Sequence, residues 1–122
     1  MTDDSAATMA AVDAFNEAFN RHDVDAVMAC MTDDAVFEST SPPAGERHVG
    51  ADAVRAAWEA FFATSPSAHF DAEEVITADD RCIVRWIYTW RDDDGTECRI
   101  HGVDVIRVRD GLVAEKLAYV KG

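Results

Sequence analysis

The stretch RIHGVDVIRVRDGLVAEKLAYVKG, Arg99 to Gly122, alternates apolar and polar residues on both sides of Asp110-Gly111. A period of two interrupted by an Asp-Gly pair reads as a β-hairpin, with strands over about 96–109 and 112–121. Residues i and i+2 share one face of a strand. One face of the first strand therefore carries Cys98, Ile100, Gly102, Asp104, Ile106 and Val108. The other carries Glu97, Arg99, His101, Val103, Val105 and Arg107, a mixed set suited to solvent or a subunit contact. The first set belongs to a core, yet it includes a carboxylate. An ionised acid there needs a cation or several donors, and without them its pKa rises until it is neutral. We expect Asp104 to face a ligand-sized hollow. The alternative is a structural acid paired with Arg85 or Lys116 that holds the sheet in register.

Two more strands precede the hairpin, over about 68–78 and 81–91, with a turn at Asp92-Asp93-Asp94-Gly95. Upstream the period changes to that of helices. Met9, Val12, Phe15 and Phe19 recur at helical spacing from about Ser5, where Ser5 or Asp4 can cap the first turn. Asn20-Arg21-His22-Asp23 breaks this helix, and Asp23 caps a second carrying Val24, Val27, Met28 and Met31. Ala35-Val36-Phe37-Glu38 is a short strand, and STSPPAGERHVG after it reads as a loop. A third helix starts after Gly50 and presents Val54, Trp58, Phe61 and Phe62 on one face. The order αα-β-α-ββββ predicts an α+β fold: one domain, residues 1–122, in which three helices cover one face of a curved, mostly antiparallel sheet.

Composition narrows the function classes. A chain of 122 residues with 48% hydrophobic residues builds one core. No apolar run approaches the roughly 18 residues that span a bilayer, and the acidic start MTDDSAATMAAVDAF lacks the features of a signal peptide. A cytoplasmic protein is expected. The formal charge of −13, with lysine only at 116 and 121, opposes nucleic acid and anionic membranes as partners. Cys30, Cys82 and Cys98 follow no metal-ligand spacing and read as inert thiols. No His/Cys/Asp cluster and no glycine-rich phosphate loop suggests a metal or nucleotide, so no cofactor is expected.

The element order, together with NRHDVDAVMACMTDDAVFES and HGVDVIRVRDGLVAEKLAYVKG, resembles the SnoaL-like branch of the nuclear transport factor 2 superfamily. The resemblance rests on the helix-break-helix with Asp23, the Asp33-Asp34-Ala35 entry to the first strand and the terminal G-V-D-x-x-R-x-x-D-G hairpin. It implies a cone, in which the bent sheet wraps the helices around a blind apolar cavity, and dimers formed through the outer face of the sheet. Relatives include ketosteroid isomerases, polyketide cyclases and limonene epoxide hydrolases. Against the isomerases, Asp104 falls where a protonated acid donates to an oxyanion. Their proton-abstracting Asp corresponds to Ser39, with Glu38 one residue earlier, and their oxyanion tyrosine to Phe15. Against the epoxide hydrolases, Arg85 matches an arginine, while Ile87 and Ala118 stand in place of two catalytic carboxylates. The isomerase and hydrolase constellations are thus incomplete, and a cyclase-like role is compatible with the residues present.

For strand 81–91 the resemblance turns Arg85 and Thr89 toward the cavity. Trp86, Tyr88 and Trp90 are then left outside, where a second subunit would cover them as a homodimer. The opposite register makes the three aromatics a pocket wall for a flat hydrophobic ligand. The family register also turns Lys116 inward, as a partner for Asp104 or an electrophilic clamp. Phe15, Phe19, Trp58, Phe61 and Phe62 are core residues by spacing, and in a cone they also wall the cavity. Asp104 and Glu38 are the candidate acid/base groups, and His48 is a candidate proton carrier at the mouth. Two functions are open at this point. One is a cofactor-free isomerase or cyclase acting on an enolisable carbonyl compound of polyketide or steroid type. The other is a non-enzymatic carrier of a small hydrophobic ligand, or a dimeric scaffold.

Overall fold

The computed structural model describes residues 3–121, so the first two residues and the last of the expected 1–122 domain lie outside it. Helix α1 (Ser5–Asn20) buries Thr8, Ala11, Val12, Phe15, Ala18 and Phe19, a stripe set by spacings of three and four. Its start is not capped by its own side chains. The Asp4 side chain makes no cap bond, Asp3 Oδ1 accepts from the Ser5 amide at 2.6 Å, and Thr8 Oγ1 donates to the Asp79 carbonyl at 2.6 Å. Its end is tied by Asn20, whose Nδ2 donates to the Phe70 carbonyl while its Oδ1 accepts from the Phe70 amide, both at 2.9 Å. Helix α2 (Val24–Ala29) is short and capped as expected, with Asp23 Oδ1 accepting from the Ala26 amide at 3.1 Å.

Strand β1 (Met31–Glu38) begins earlier than its apolar pattern suggests, because its pairing register shifts between Met31 and Val36. There Asp34 turns outward and accepts from Arg109 and Thr32. The segment read as a loop also contains a short strand, β2 (Arg47–Val49), paired antiparallel with β1. Glycines flank β2, and only three residues pair, too few for a visible alternation. Helix α3 (Ala51–Thr64) follows, and then β3 (His69–Ala78), β4 (Arg81–Arg91), β5 (Glu97–Arg109) and β6 (Leu112–Val120). The six strands form one sheet in the order β2-β1-β6-β5-β4-β3, antiparallel except for the β1–β6 pair. The fold is α+β, with a curved open sheet and three helices in the N-terminal half. α1 packs against β3 and α3 against β1, and the core fills the space between.

Strand β4 corrects the expected register. Antiparallel pairing sets Val84 opposite Asp104, Trp86 opposite Gly102 and Tyr88 opposite Ile100. Directly opposed residues share a face, so the inward acid brings Trp86 and Tyr88 inward with it. Arg85 and Thr89 consequently face out. Arg85 is half exposed and pairs with Glu73 and Glu74 at 3.3 and 3.4 Å. The Thr89 hydroxyl stands 3.5 Å from the His69 carbonyl. The aromatic row Trp86, Tyr88, Trp90 is therefore not the outer surface expected to meet a second subunit.

Candidate functional site

A cavity of about 440 Å³ lies between the inner sheet face and helices α1 and α3. Its walls are mainly aromatic: Phe19, Phe37, Trp58, Phe61, Trp86 and Tyr88. Its mouth is polar, built from Ser39, Thr40, Ser41, Glu46 and His48 around the β1–β2 connection. Gly45 holds that connection tight. Its φ is +77°, and a Cβ there would strike the Ser39 carbonyl. His48 stacks on Phe37 with ring centroids 5.7 Å apart, and its Nε2 is 3.8 Å from Glu46.

Asp104 and Lys116 meet at the inner end. They sit diagonally across the β5–β6 pair, two residues out of direct opposition, on the inward face. Lys116 Nζ is 3.6 Å from Asp104 Oδ2, and both side chains are buried. The ammonium is boxed in by aromatic rings, 4.8 Å from the Phe19 centroid, 5.1 Å from Trp58, 5.4 Å from Phe37 and 5.5 Å from Phe15. Rings at such distances attract a cation through their quadrupole, more strongly where water is excluded. Burial pushes the Asp104 carboxyl above the ordinary carboxylate range, and the Lys116 charge pulls it part of the way back. The Trp86 indole N–H acts in the same direction as Lys116, although it closes no hydrogen bond of good geometry.

Among the described residues, three buried side-chain polar atoms lack a hydrogen-bond partner: Trp58 Nε1, Trp86 Nε1 and Asp104 Oδ1. All three residues line the same cavity. Buried polar groups are normally satisfied, and leaving one without a partner costs about 1–3 kcal/mol. Such a cluster of unmet groups around a hollow is suited to a ligand carrying a polar oxygen. Gly102 makes the arrangement fit. A Cβ there would collide with the Trp86 ring and with the Tyr119 carbonyl, so the missing side chain is the space that the indole fills.

The remaining expected site residues are placed differently. Glu38 does not reach the cavity: Phe37 points inward, and Glu38, its strand neighbour, turns out to pair with Arg47 at 2.5 Å. Phe15 lies beneath Lys116 and lines a smaller hollow of about 110 Å³ behind the pair. Phe62 packs on Phe19 and on the ring of His22, at 4.8 and 4.6 Å, away from the main cavity. Trp90 packs against Tyr88 with ring centroids 4.8 Å apart, beyond the lining. Trp86 and Tyr88 line the cavity as the opposite register of strand 81–91 had it, and Phe37 is a cavity residue that the sequence reading did not select. Their signal was the inward phase of β1 and β4, which the strand pairing supplies. The Cys82 thiol, buried on the inward face of β4, is pushed up to about 11 by burial, with the Asp13 and Asp104 charges acting in the same direction, and is inert at neutral pH. No group of three or more His, Cys, Asp or Glu side chains among the described residues could hold a metal ion. None of the described helices is long and apolar enough to cross a membrane.

The family described as SnoaL-like domain matches residues 12–116, nearly the whole chain. The chain belongs to this family. Among solved structures, the SnoaL-like domain is similar to an NTF2-like protein of unknown function from Mesorhizobium loti. That protein is 37% identical over 100% of this chain and 97% of its own, with a TM-score of 0.82. A polyketide cyclase candidate from Xanthomonas campestris pv. campestris is 22% identical, covering 97% of this chain and 93% of that one, with a TM-score of 0.76. A protein with a ketosteroid isomerase-like fold from Catenulispora acidiphila is 14% identical, covering 89% and 83%, with a TM-score of 0.79. The last two speak to the fold of the SnoaL-like domain and not to its chemistry. No curated protein matches it.

Proposed function

We propose that this SnoaL-like protein binds a flat, largely apolar carbonyl compound and moves a proton on it without a cofactor, as an isomerase or cyclase would. The observation that carries the reading is the clustering of every orphaned buried polar atom among the described residues in one aromatic-walled cavity, beside the Asp104–Lys116 pair. The apolar walls favour a flat ring system. The two indole N–H groups and the Lys116 ammonium are donors suited to an oxygen that gains negative charge as an enolate forms. Asp104 is the proton carrier, because burial raises its pKa and so makes the carboxylate a stronger base than an exposed one.

2-Tetralone, a bicyclic ketone with acidic α-protons, tests this directly. In D2O the protein accelerates exchange of those protons, followed by NMR. Asp104→Asn abolishes the acceleration while 2-tetralone still quenches tryptophan fluorescence with an affinity changed by less than about tenfold. No acceleration by the wild-type protein, or full acceleration by the Asn variant, rejects the reading. Binding without exchange favours the second function, a non-enzymatic carrier. That reading draws on Phe15 and Ser39, which supply neither a phenol nor a second carboxylate, and on Glu38, which is turned away. The proposal includes a homodimer formed through the outward rows of β4, β5 and β6.

A further inference from the structure

Lysine occurs at only two positions in this chain, and one of them is buried at the inner end of an aromatic cavity. We infer that Lys116 is an imine-forming amine, which captures an aromatic or conjugated aldehyde or ketone as a covalent adduct. The inference rests on the carbonyl-binding reading above and names a second chemical role within the same site.

The geometry supports each stage. The Lys116 ammonium makes no hydrogen bond within 3.5 Å, and its nearest carboxylate oxygen, Asp104 Oδ2, is 3.6 Å away. Four aromatic rings surround it. An ammonium used only for structure would be expected to satisfy its three donors, or to extend past the cavity rim into water. In the reaction the ammonium first passes one proton to the Asp104 carboxylate. The freed nitrogen lone pair then forms a C–N bond to the carbonyl carbon as the C=O π pair moves onto oxygen. One proton passes from nitrogen to that oxygen, giving a carbinolamine. The Asp104 carboxylic acid next protonates the hydroxyl, the C–O bond breaks, water leaves, and the nitrogen lone pair closes a C=N bond. The products are a protonated imine, one water molecule and the Asp104 carboxylate, so atoms and charge balance. The positive charge begins and ends on the same nitrogen, so the rings and carboxylate that hold the ammonium hold the iminium equally well. The hollow of about 110 Å³ behind the pair, reaching Asn16 and Asn20, has room and polar partners for the released water.

2-Naphthaldehyde is the probe, because it has no α-proton and so reports imine formation apart from proton transfer at carbon. It is incubated with the protein under sodium borohydride and followed by intact mass and peptide mapping. The expected result is a gain of one naphthylmethyl group on Lys116, at least tenfold faster than on Lys121, which serves as the internal control. Lys116→Met loses that adduct while circular dichroism is kept. Arg85→Ala, on the opposite face of the sheet, labels at the wild-type rate. Saturable quenching without an adduct on Lys116, or equal labelling of the two lysines, overturns the imine and leaves the binding reading intact. No quenching and no adduct overturns both.

Discussion

Titration isolates the influence of Lys116 on Asp104. Burial raises the Asp104 pKa, while the Lys116 charge at 3.6 Å lowers it. Lys116→Met removes the lowering influence, so the Asp104 midpoint in a carboxyl-detected NMR titration is expected to move further up. A downward move would contradict the pairing. The same raised pKa fixes a sign for stability. The folded state holds the Asp104 proton more tightly than the unfolded chain, whose midpoint is about 3.9. Its contribution is complete below that pH and is lost as pH rises through the folded midpoint. The unfolding free energy of wild type minus that of Asp104→Asn should therefore fall as pH rises above about 4, measured by denaturant titration at each pH. A difference that grows with pH would mean that the folded state favours the ionised acid. Arg85 tests the corrected register at this scale. Its guanidinium is half exposed and its partners are surface glutamates, so Arg85→Ala should cost less than about 1 kcal/mol and leave 2-tetralone binding unchanged.

At the scale of elements, the inward phase of β5 is legible from sequence because five of the six residues on that face are apolar or small, leaving Asp104 as the exception. The phase of β4 is not legible in the same way. Both of its faces carry bulky side chains, and alternation alone does not choose between Arg85 and Trp86. Pairing chooses, through the opposition of Trp86 and Gly102. Gly102 was legible as an oddity and not as a cause, since its role depends on a ring from another strand. Gly102→Ala should therefore displace the Trp86 indole and cost about 1–3 kcal/mol, as overpacking in a filled core does. The expected readouts are a lower denaturation midpoint and an altered tryptophan spectrum. An unchanged midpoint would mean that the ring moves without penalty. Capping followed sequence logic more closely at α2 than at α1. Asp23 binds an amide of its own helix, whereas the start of α1 depends on Asp79, 75 residues from Asp4, a partner that no local pattern reveals. The short strand β2 escaped for a related reason, as three residues beside a proline-rich turn pair without alternating. Asp23→Ala is expected to lose about 1 kcal/mol by denaturant titration.

At the scale of the molecule, the proposed function assigns the two faces of the sheet to a ligand and to a partner. On the outer side Ile83, Val105 and Leu117 lie in one cross-strand row, and Val103 faces Tyr119 in the next. Ile83 and Tyr119 are 42% and 55% exposed. Arg85, His101 and Arg107 stand among Glu73, Glu74 and Glu115 around these rows, so the face offers an apolar centre with a rim of both signs, the pattern of a protein interface. A second copy is the proposed occupant, because rim charges of both signs can pair across a two-fold axis. Each chain nevertheless carries a formal charge of −13, and bringing two together costs long-range repulsion that salt screens within about 10 Å at 0.1 M. The dimer should therefore tighten as salt is added, the reverse of an association driven by opposite net charges. Sedimentation equilibrium is expected to give twice the 13.4 kDa chain mass, with a dissociation constant that falls as NaCl rises from about 0.02 to 0.5 M. Val105→Glu, which places a carboxylate in the centre of the apolar row, should return the chain to a monomer that still binds 2-tetralone, because its side chain points away from the cavity. A monomer at every salt concentration would reject the outer face as a dimer interface, and loss of 2-tetralone binding in the monomeric variant would mean that the two faces are not independent.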